Sequence, residues 1–343
     1  MSRRVICLYV AGGLFVVLAF LALVAPVPYV VLSPGPTLNT LGSDDQGKPI
    51  ISITGKDANH TTGNLNLTTV DVTTQRVTAA QALAGWLQHD RIVVPRASIY
   101  PPGQSQSDVN QADTQQFADS QNSATAAAFC ELGYPSGLGV VGVIAKTGAD
   151  GVLKPFDQLV SVDGASVDTQ DKIAAVLATH KAGDKVTVDI KRAGTPMSFP
   201  IVLSKSPDAG KAPLIGVSVG TECFAPFSVS LGLGDQIGGP SAGLMFALGI
   251  MDKVGPTDLT KGRFIAGTGE IESDGTVKPI GGIQLKMIAA KRKGASVFLA
   301  PAANCNDVKG NIPSGLNVVK VDTLHSAVQD LALLADGKPV PHC

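Results

Sequence analysis

Histidine is scarce in this sequence. The five residues His60, His89, His180, His325 and His342 stand in separate polar stretches, with no H-E-x-x-H pair and no His/Cys cluster. Zinc chemistry therefore finds no ligand set, and neither a metal nor another cofactor is expected. No G-x-x-x-x-G-K-S/T phosphate loop occurs, so ATP-driven work has no support in these residues. An excess of either charge is also missing. With 27 basic and 28 acidic residues the net charge is −1, which argues against a nucleic-acid partner, because such a partner needs a basic face. No two cysteines have zinc-ligand spacing such as C-x-x-C.

Hydrophobic residues are plentiful, at 44% of the chain. Part of the excess lies at the N-terminus, where Arg3 and Arg4 precede an uncharged run from Val5 to Val31. Its first part, Val5–Ala25, spans ~31 Å as a helix, about one hydrocarbon core. Pro26 and Pro28 then end it. Residues 1–31 are expected to be a cytoplasmic tip and a single-pass anchor, with everything from about Tyr29 outside the cytoplasm by the positive-inside rule. A cleaved signal peptide is the alternative, although Leu23-Val24-Ala25-Pro26 makes a poor cleavage site. Cys130, Cys223, Cys305 and Cys343 would then sit in an oxidising compartment. Of the three pairings that four cysteines allow, Cys130–Cys223 with Cys305–Cys343 is expected, each bracing the edge of one domain. Four free buried thiols are the alternative.

Residues 32–135 read as an extracytoplasmic region of strands and helices. Leu65, Leu67, Val70 and Val72 suggest a strand, and 107–132 a long polar helix with one packable face to which no chemistry is assigned. From 136 to 206 the chain is β-rich, with an Asp163-Gly164 turn, an Asp168-capped helix from Gln170, and an alternating strand over Lys185–Arg192. Gly137-Leu138-Gly139-Val140, Phe156-Asp157-Gln158-Leu159 and Gly183-Asp184-Lys185-Val186 give this stretch a resemblance to PDZ domains of bacterial proteases. The resemblance implies that Gly137, Leu138, Gly139 and Val140 cap a peptide carboxylate, with the peptide adding as a strand beside Val140–Ile144. A tight turn in a spacer domain is the plainer reading.

Residues 212–337 mix strands and helices, an α+β pattern. Within them Gly238-Gly239-Pro240-Ser241-Ala242-Gly243 hands over to an apolar helix, and Lys286 interrupts the apolar face Ile283, Met287, Ala290 of another. Lys291, Arg292 and Lys293 sit at that helix's C-terminus, where positive charge suits the dipole, so Lys286 is the lysine out of place. A buried lysine loses its proton more readily and can act as a base towards a serine. Ser241 as a mere helix cap is the competing reading. Gly239-Pro240-Ser241-Ala242-Gly243, Thr268-Gly269-Glu270-Ile271 and Pro279-Ile280-Gly281-Gly282 through Lys286 resemble the proteolytic domain of Lon proteases. The whole layout is similar to membrane-anchored PDZ-Lon proteins. The resemblance implies Ser241 as nucleophile, Lys286 as base, Thr268 beside the lysine, and Gly239, Pro240 and Ala242 as the supporting turn. It also implies protein or peptide substrates, and a homo-oligomer agrees with it. Many Lon proteins carry an acid just before Gly-Pro-Ser. Here Gly238 holds that place, and the nearest upstream acid is Asp235.

The expectation is thus a multidomain, membrane-anchored, ATP-independent serine endopeptidase. Two alternatives stay open. One is a catalytically silent PDZ adaptor. The other is a Ser-His-Asp esterase reading Gly239–Gly243 as a nucleophile elbow, with Asp307 and His325 as partners.

Overall fold

The computed structural model describes residues 3–208, 210–233 and 238–343. In chain order, α1 (Arg3–Val24) precedes β1 (Tyr29–Asn39), β2 (Ile51–Thr54), β3 (Asn64–Val72), α2 (Ala79–Trp86), β4 (Ile92–Pro95) and the long α3 (Gln106–Glu131). The middle of the chain forms β5 (Ser136–Val143), β6 (Gln158–Val162), β7 (Ala165–Ser166), α4 (Gln170–Leu177), β8 (Lys185–Arg192), β9 (Thr195–Val202) and β10 (Val217–Cys223). The last third holds β11 (Ser228–Leu231), α5 (Gly243–Val254), β12 (Phe264–Gly267), β13 (Glu270–Ile271), β14 (Val277–Lys278), α6 (Ile283–Lys293), β15 (Val297–Pro301), α7 (Cys305–Val308), β16 (Asn317–Val321) and α8 (Leu324–Ala335). Helix α1 is long and apolar enough to cross a membrane, and none of it is buried by the rest of the chain.

The main sheet has six strands in the order β16-β15-β12-β3-β1-β4. Its centre is parallel: β12 runs alongside both β15 and β3, and β15 alongside β16. Parallel strands are covered on both faces, so their side chains are apolar in both directions. Alternation then divides them. Ile265, Leu299 and Val319 point into a core shared with α5 and α3, whereas Ala266, Phe298 and Val318 point into a core shared with α6. Helix α5 is buried along almost its whole length, as an apolar helix between sheet and helix should be. Its outer cover is α3, whose Phe117 meets Phe246 with ring centroids 5.9 Å apart.

The expected boundaries at 32–135, 136–206 and 212–337 do not follow these sheets. Strands β3 and β4 and most of β1 come from the first range yet build half of the sheet that β12, β15 and β16 complete, and β1 begins at Tyr29, within the range expected to be anchor. In the second sheet the order is β10-β5-β6-β8-β9, so β10, from the expected proteolytic range, completes the PDZ-like sheet. The reason is pairing at long range: β10 lies antiparallel to β5 from Val217 opposite Val143 to Cys223 opposite Ser136. A period of two reveals a strand but not its neighbour.

Three local expectations also change. Gly137–Val140 is not a free loop but part of β5. The edge beside Val140 that was to receive a peptide is filled by β10, so its backbone groups already have partners. Helix α4 is capped by Thr169, whose side chain accepts from the Lys172 N–H, while Asp168 instead pairs with Lys172 at 2.8 Å. The stretch Phe264–Ile271 reads from its sequence as one strand, but it breaks after Gly267 into β12 and β13, and that break leaves room for the site. Sulfur–sulfur bonds join Cys130 to Cys223 and Cys305 to Cys343.

Candidate active site

Ser241 sits in the turn before α5. Gly239 there has a φ of 80°, a left-handed conformation that glycine adopts without a Cβ clash. The helix is capped by Ala242, with no side-chain cap. Ser241 is therefore not spent as a cap, and its hydroxyl is free to face elsewhere. Its carbonyl accepts from the Gly269 N–H at 2.9 Å and from Thr268 Oγ1 at 2.9 Å, which ties the turn to the end of β12. Among the described residues no acceptor is found for the N–H of Ser241 or of Ala242.

Lys286 comes from the other face of the sheet. Helix α6 starts at Gly282, which has a φ of 69°. It buries Ile283, Met287 and Ala290 against the sheet, and the same face carries Lys286 inward. Because β12 stops at Gly267, the lysine passes beyond the strand's end and meets the serine from the opposite layer. Its Nζ lies 2.7 Å from Ser241 Oγ and 2.9 Å from Thr268 Oγ1. The side chain is 3% exposed. Burial penalises the charged form and pushes its pKa down to about 7.

The hydrogen-bond directions follow from valence. Thr268 gives its only O–H to the Ser241 carbonyl, so towards Lys286 it must accept. A neutral amine can then offer an N–H to Thr268 and keep its lone pair for the serine hydroxyl. Thr268 is itself fully buried, and no other charge is needed to hold the lysine neutral.

Ser241 and Lys286 line a cleft of about 260 Å³, whose far wall is Pro36 and Thr68 to Asp71 of β1 and β3. A larger cavity of about 870 Å³ lies where the PDZ-like sheet meets the rest, lined by Phe129, Phe156, Phe224 and Phe227, but it holds no nucleophile–base pair. Of the supporting turn, the Gly239 N–H donates to the Asp113 carbonyl at 3.0 Å, and Pro240 accepts from Ser120 Oγ at 2.8 Å. Asp113 and Ser120 belong to α3, the helix to which sequence reasoning assigned no chemistry. No local signal marks them. Asp235 lies outside the described residues.

The remaining candidates fall elsewhere. Leu138 is in the PDZ-like core, and the Val140 N–H donates to the Asp157 carbonyl at 2.9 Å. His325, proposed for the esterase reading, is exposed and bonds Glu131 at 2.7 Å and Gln329 at 2.8 Å. Asp307 contacts Asn304. Neither meets Ser241, so the esterase triad does not form. Among the described residues no group of three or more potential metal ligands occurs.

Comparison with known proteins gives two family matches. Residues 236–334 match the family model described as the Lon protease (S16) C-terminal proteolytic domain, and residues 108–203 match that of the PDZ domain. Lon protease 2 of Bacillus subtilis is 37% identical over 100 residues, which is 29% of this chain and 17% of that one. A mitochondrial Lon protease homolog of Zea mays is 29% identical over 182 residues, 51% of this chain and 17% of that one. The chain thus spans less than a fifth of the length of these relatives. The PDZ domain of an SdrC-like protein from Listeria monocytogenes is 24% identical, covering 24% of this chain and 86% of that one, with a TM-score of 0.23.

Proposed function

We propose that this chain, which carries a Lon-type proteolytic domain and a PDZ domain, is a membrane-anchored serine endopeptidase working through Ser241 and Lys286. The observation that carries the reading is the 2.7 Å approach of a buried, easily deprotonated lysine to the serine hydroxyl. Neutral Lys286 takes the Ser241 proton as Oγ attacks a peptide carbonyl. The N–H groups of Ser241 and Ala242, which find no acceptor among the described residues, face the developing oxyanion at the start of α5. Lys286 then returns the proton to the leaving amine, and water, activated in the same way, releases the acyl group.

The cleft is narrow, so the substrate enters as an extended or unfolded segment. Helix α1 anchors the chain, with the catalytic part outside the cytoplasm as the Arg3–Arg4 flank implies. Work is ATP-independent in this scheme, since the driving energy is that of hydrolysis alone.

The test is digestion of an unfolded casein by the detergent-solubilised chain, with Ser241→Ala and Lys286→Ala alongside. Cleavage by the wild type alone is expected. Cleavage that survives both substitutions removes the dyad. No turnover by any form, over pH 6 to 10 and several substrates, returns the silent adaptor.

A further inference from the structure

Among the described residues helix α3 makes no hydrogen bond to Lys286, yet it holds the turn that carries Ser241. Asp113 and Ser120 are two helical turns apart and so share one face. From that face the Asp113 carbonyl accepts the Gly239 N–H at 3.0 Å, and Ser120 Oγ donates to the Pro240 carbonyl at 2.8 Å. Ser120 is 4% exposed. There is no slack in the contact. A Cβ at Gly243 would lie 2.8 Å from Ser120 Oγ, and one at Gly238 would lie 2.8 Å from Asp113 Cβ.

At its other end α3 is tied to the second sheet. Cys130 is bonded to Cys223, the last residue of β10, and β10 is paired along β5 on the edge where a PDZ peptide was expected. From Asp113 to Cys130 the helix runs about 26 Å, so one stiff rod connects the filled PDZ edge to the catalytic turn.

We propose that Ser120 is a positioning residue for Ser241, and that the Cys130–Cys223 bridge makes the placement of the turn depend on the PDZ sheet. The proposal rests on Ser241 being the nucleophile. Attack needs Oγ held in near-attack geometry, and a misplacement of about 1 Å can slow the reaction by about 10²-fold. Ser120 restrains the turn one residue before the nucleophile, where rotation of the Pro240 carbonyl would swing Ser241 away from Lys286. The bridge fixes the rod that carries Ser120 to a strand that moves with the PDZ sheet.

The experiment uses the full chain in detergent and a fluorophosphonate probe, which phosphonylates the serine with loss of fluoride. Rate constant and labelled fraction are followed over pH 6 to 9 for wild type, Ser120→Ala, Ser241→Ala, Cys130→Ser/Cys223→Ser and the control Cys305→Ser/Cys343→Ser. Hydrogen exchange of a peptide covering 238–247 is measured on the same proteins. Ser120→Ala is expected to lower the rate constant about five- to tenfold, the size of one lost hydrogen bond, at full labelled fraction and with the pH midpoint unmoved. The Cys130/Cys223 variant should slow labelling and quicken exchange in 238–247, while the control leaves both as in the wild type. A reduced labelled fraction at an unchanged rate constant would mean general loosening and overturns the positioning role, as does wild-type labelling by Ser120→Ala. Unchanged exchange in the Cys130/Cys223 variant overturns the coupling, whatever the labelling shows. Wild-type labelling no faster than that of Ser241→Ala removes the nucleophile itself, and the positioning role with it, a result distinct from either of the others.

Discussion

Thr268 Oγ1 accepts from the Lys286 amine at 2.9 Å and donates to the Ser241 carbonyl at 2.9 Å, so a single hydroxyl aligns both the lysine and the serine turn. Thr268→Val keeps the shape and removes both bonds. It should lower kcat/KM for a fluorogenic peptide by about 10- to 100-fold, the loss expected for a buried hydrogen bond to an active group. Thr268→Ser, which keeps the hydroxyl, should stay within a few-fold of wild type. Full activity in Thr268→Val would reduce this residue to filler.

Activity should rise with pH through an apparent pKa of about 7, the value to which burial pushes Lys286 down. Lys286→Met should lower kcat by at least about 10²-fold at every pH. Stability should rise with pH as well, over a higher window. The folded pKa lies below the ordinary value of roughly 10.4, so between these limits the unfolded chain holds a proton that the folded chain does not. The lysine's burial therefore costs most below about pH 7, and the cost fades as pH rises towards 10. Lys286→Met should melt a few degrees higher than wild type at pH 6, with the gap closing in alkaline solution. A melting-temperature series across pH, with no crossing or narrowing, would contradict this assignment.

Glu222 on β10 presents a second, independent titration. It is 5% exposed, its Oε2 has no hydrogen-bond partner among the described residues, and burial raises its pKa to about 7. Here the folded value is above the ordinary one of roughly 4.3. The folded state holds the proton that the unfolded state has lost, so stability falls as pH rises from about 4 to 7 and stays reduced above that. Glu222→Gln should leave the melting temperature unchanged at pH 4 and raise it by a few degrees at pH 8. An equal shift at both values would point to packing instead of charge.

Gly139 tests how tightly β10 closes on β5. The Phe224 ring lies over it. A Cβ at that position would overlap Phe224 Cζ and approach Cε1 to 2.9 Å. Gly139→Ala should destabilise the protein by about 1–3 kcal/mol through overpacking, and the double variant Gly139→Ala/Phe224→Leu should recover part of the loss, as read by urea denaturation. No destabilisation in the single variant would show that the ring moves aside freely.

What the sequence determined by itself was local. The Gly-Pro turn before an apolar helix exposed Ser241, and the placing of Lys286 among Ile283, Met287 and Ala290 marked it as buried, because helical periodicity fixes a face before any partner is known. The apolar run of α1 was legible from its length and lack of charge, and alternation marked strands such as β3 and β8, whereas β4 carried no such signal. The tertiary structure alone decided which strands are neighbours. Strand β3 pairs with β12 although about 200 residues separate them, and β10 fills the edge of β5 that was expected to receive a peptide. Alternation shows that a segment is a strand, but it carries no address for the opposite edge. Nor does a polar helix announce a role. The bonds from Asp113 and Ser120 to the Ser241 turn arise only once α3 packs across α5, and that packing depends on the shape of the whole core, not on any residue pattern within the helix.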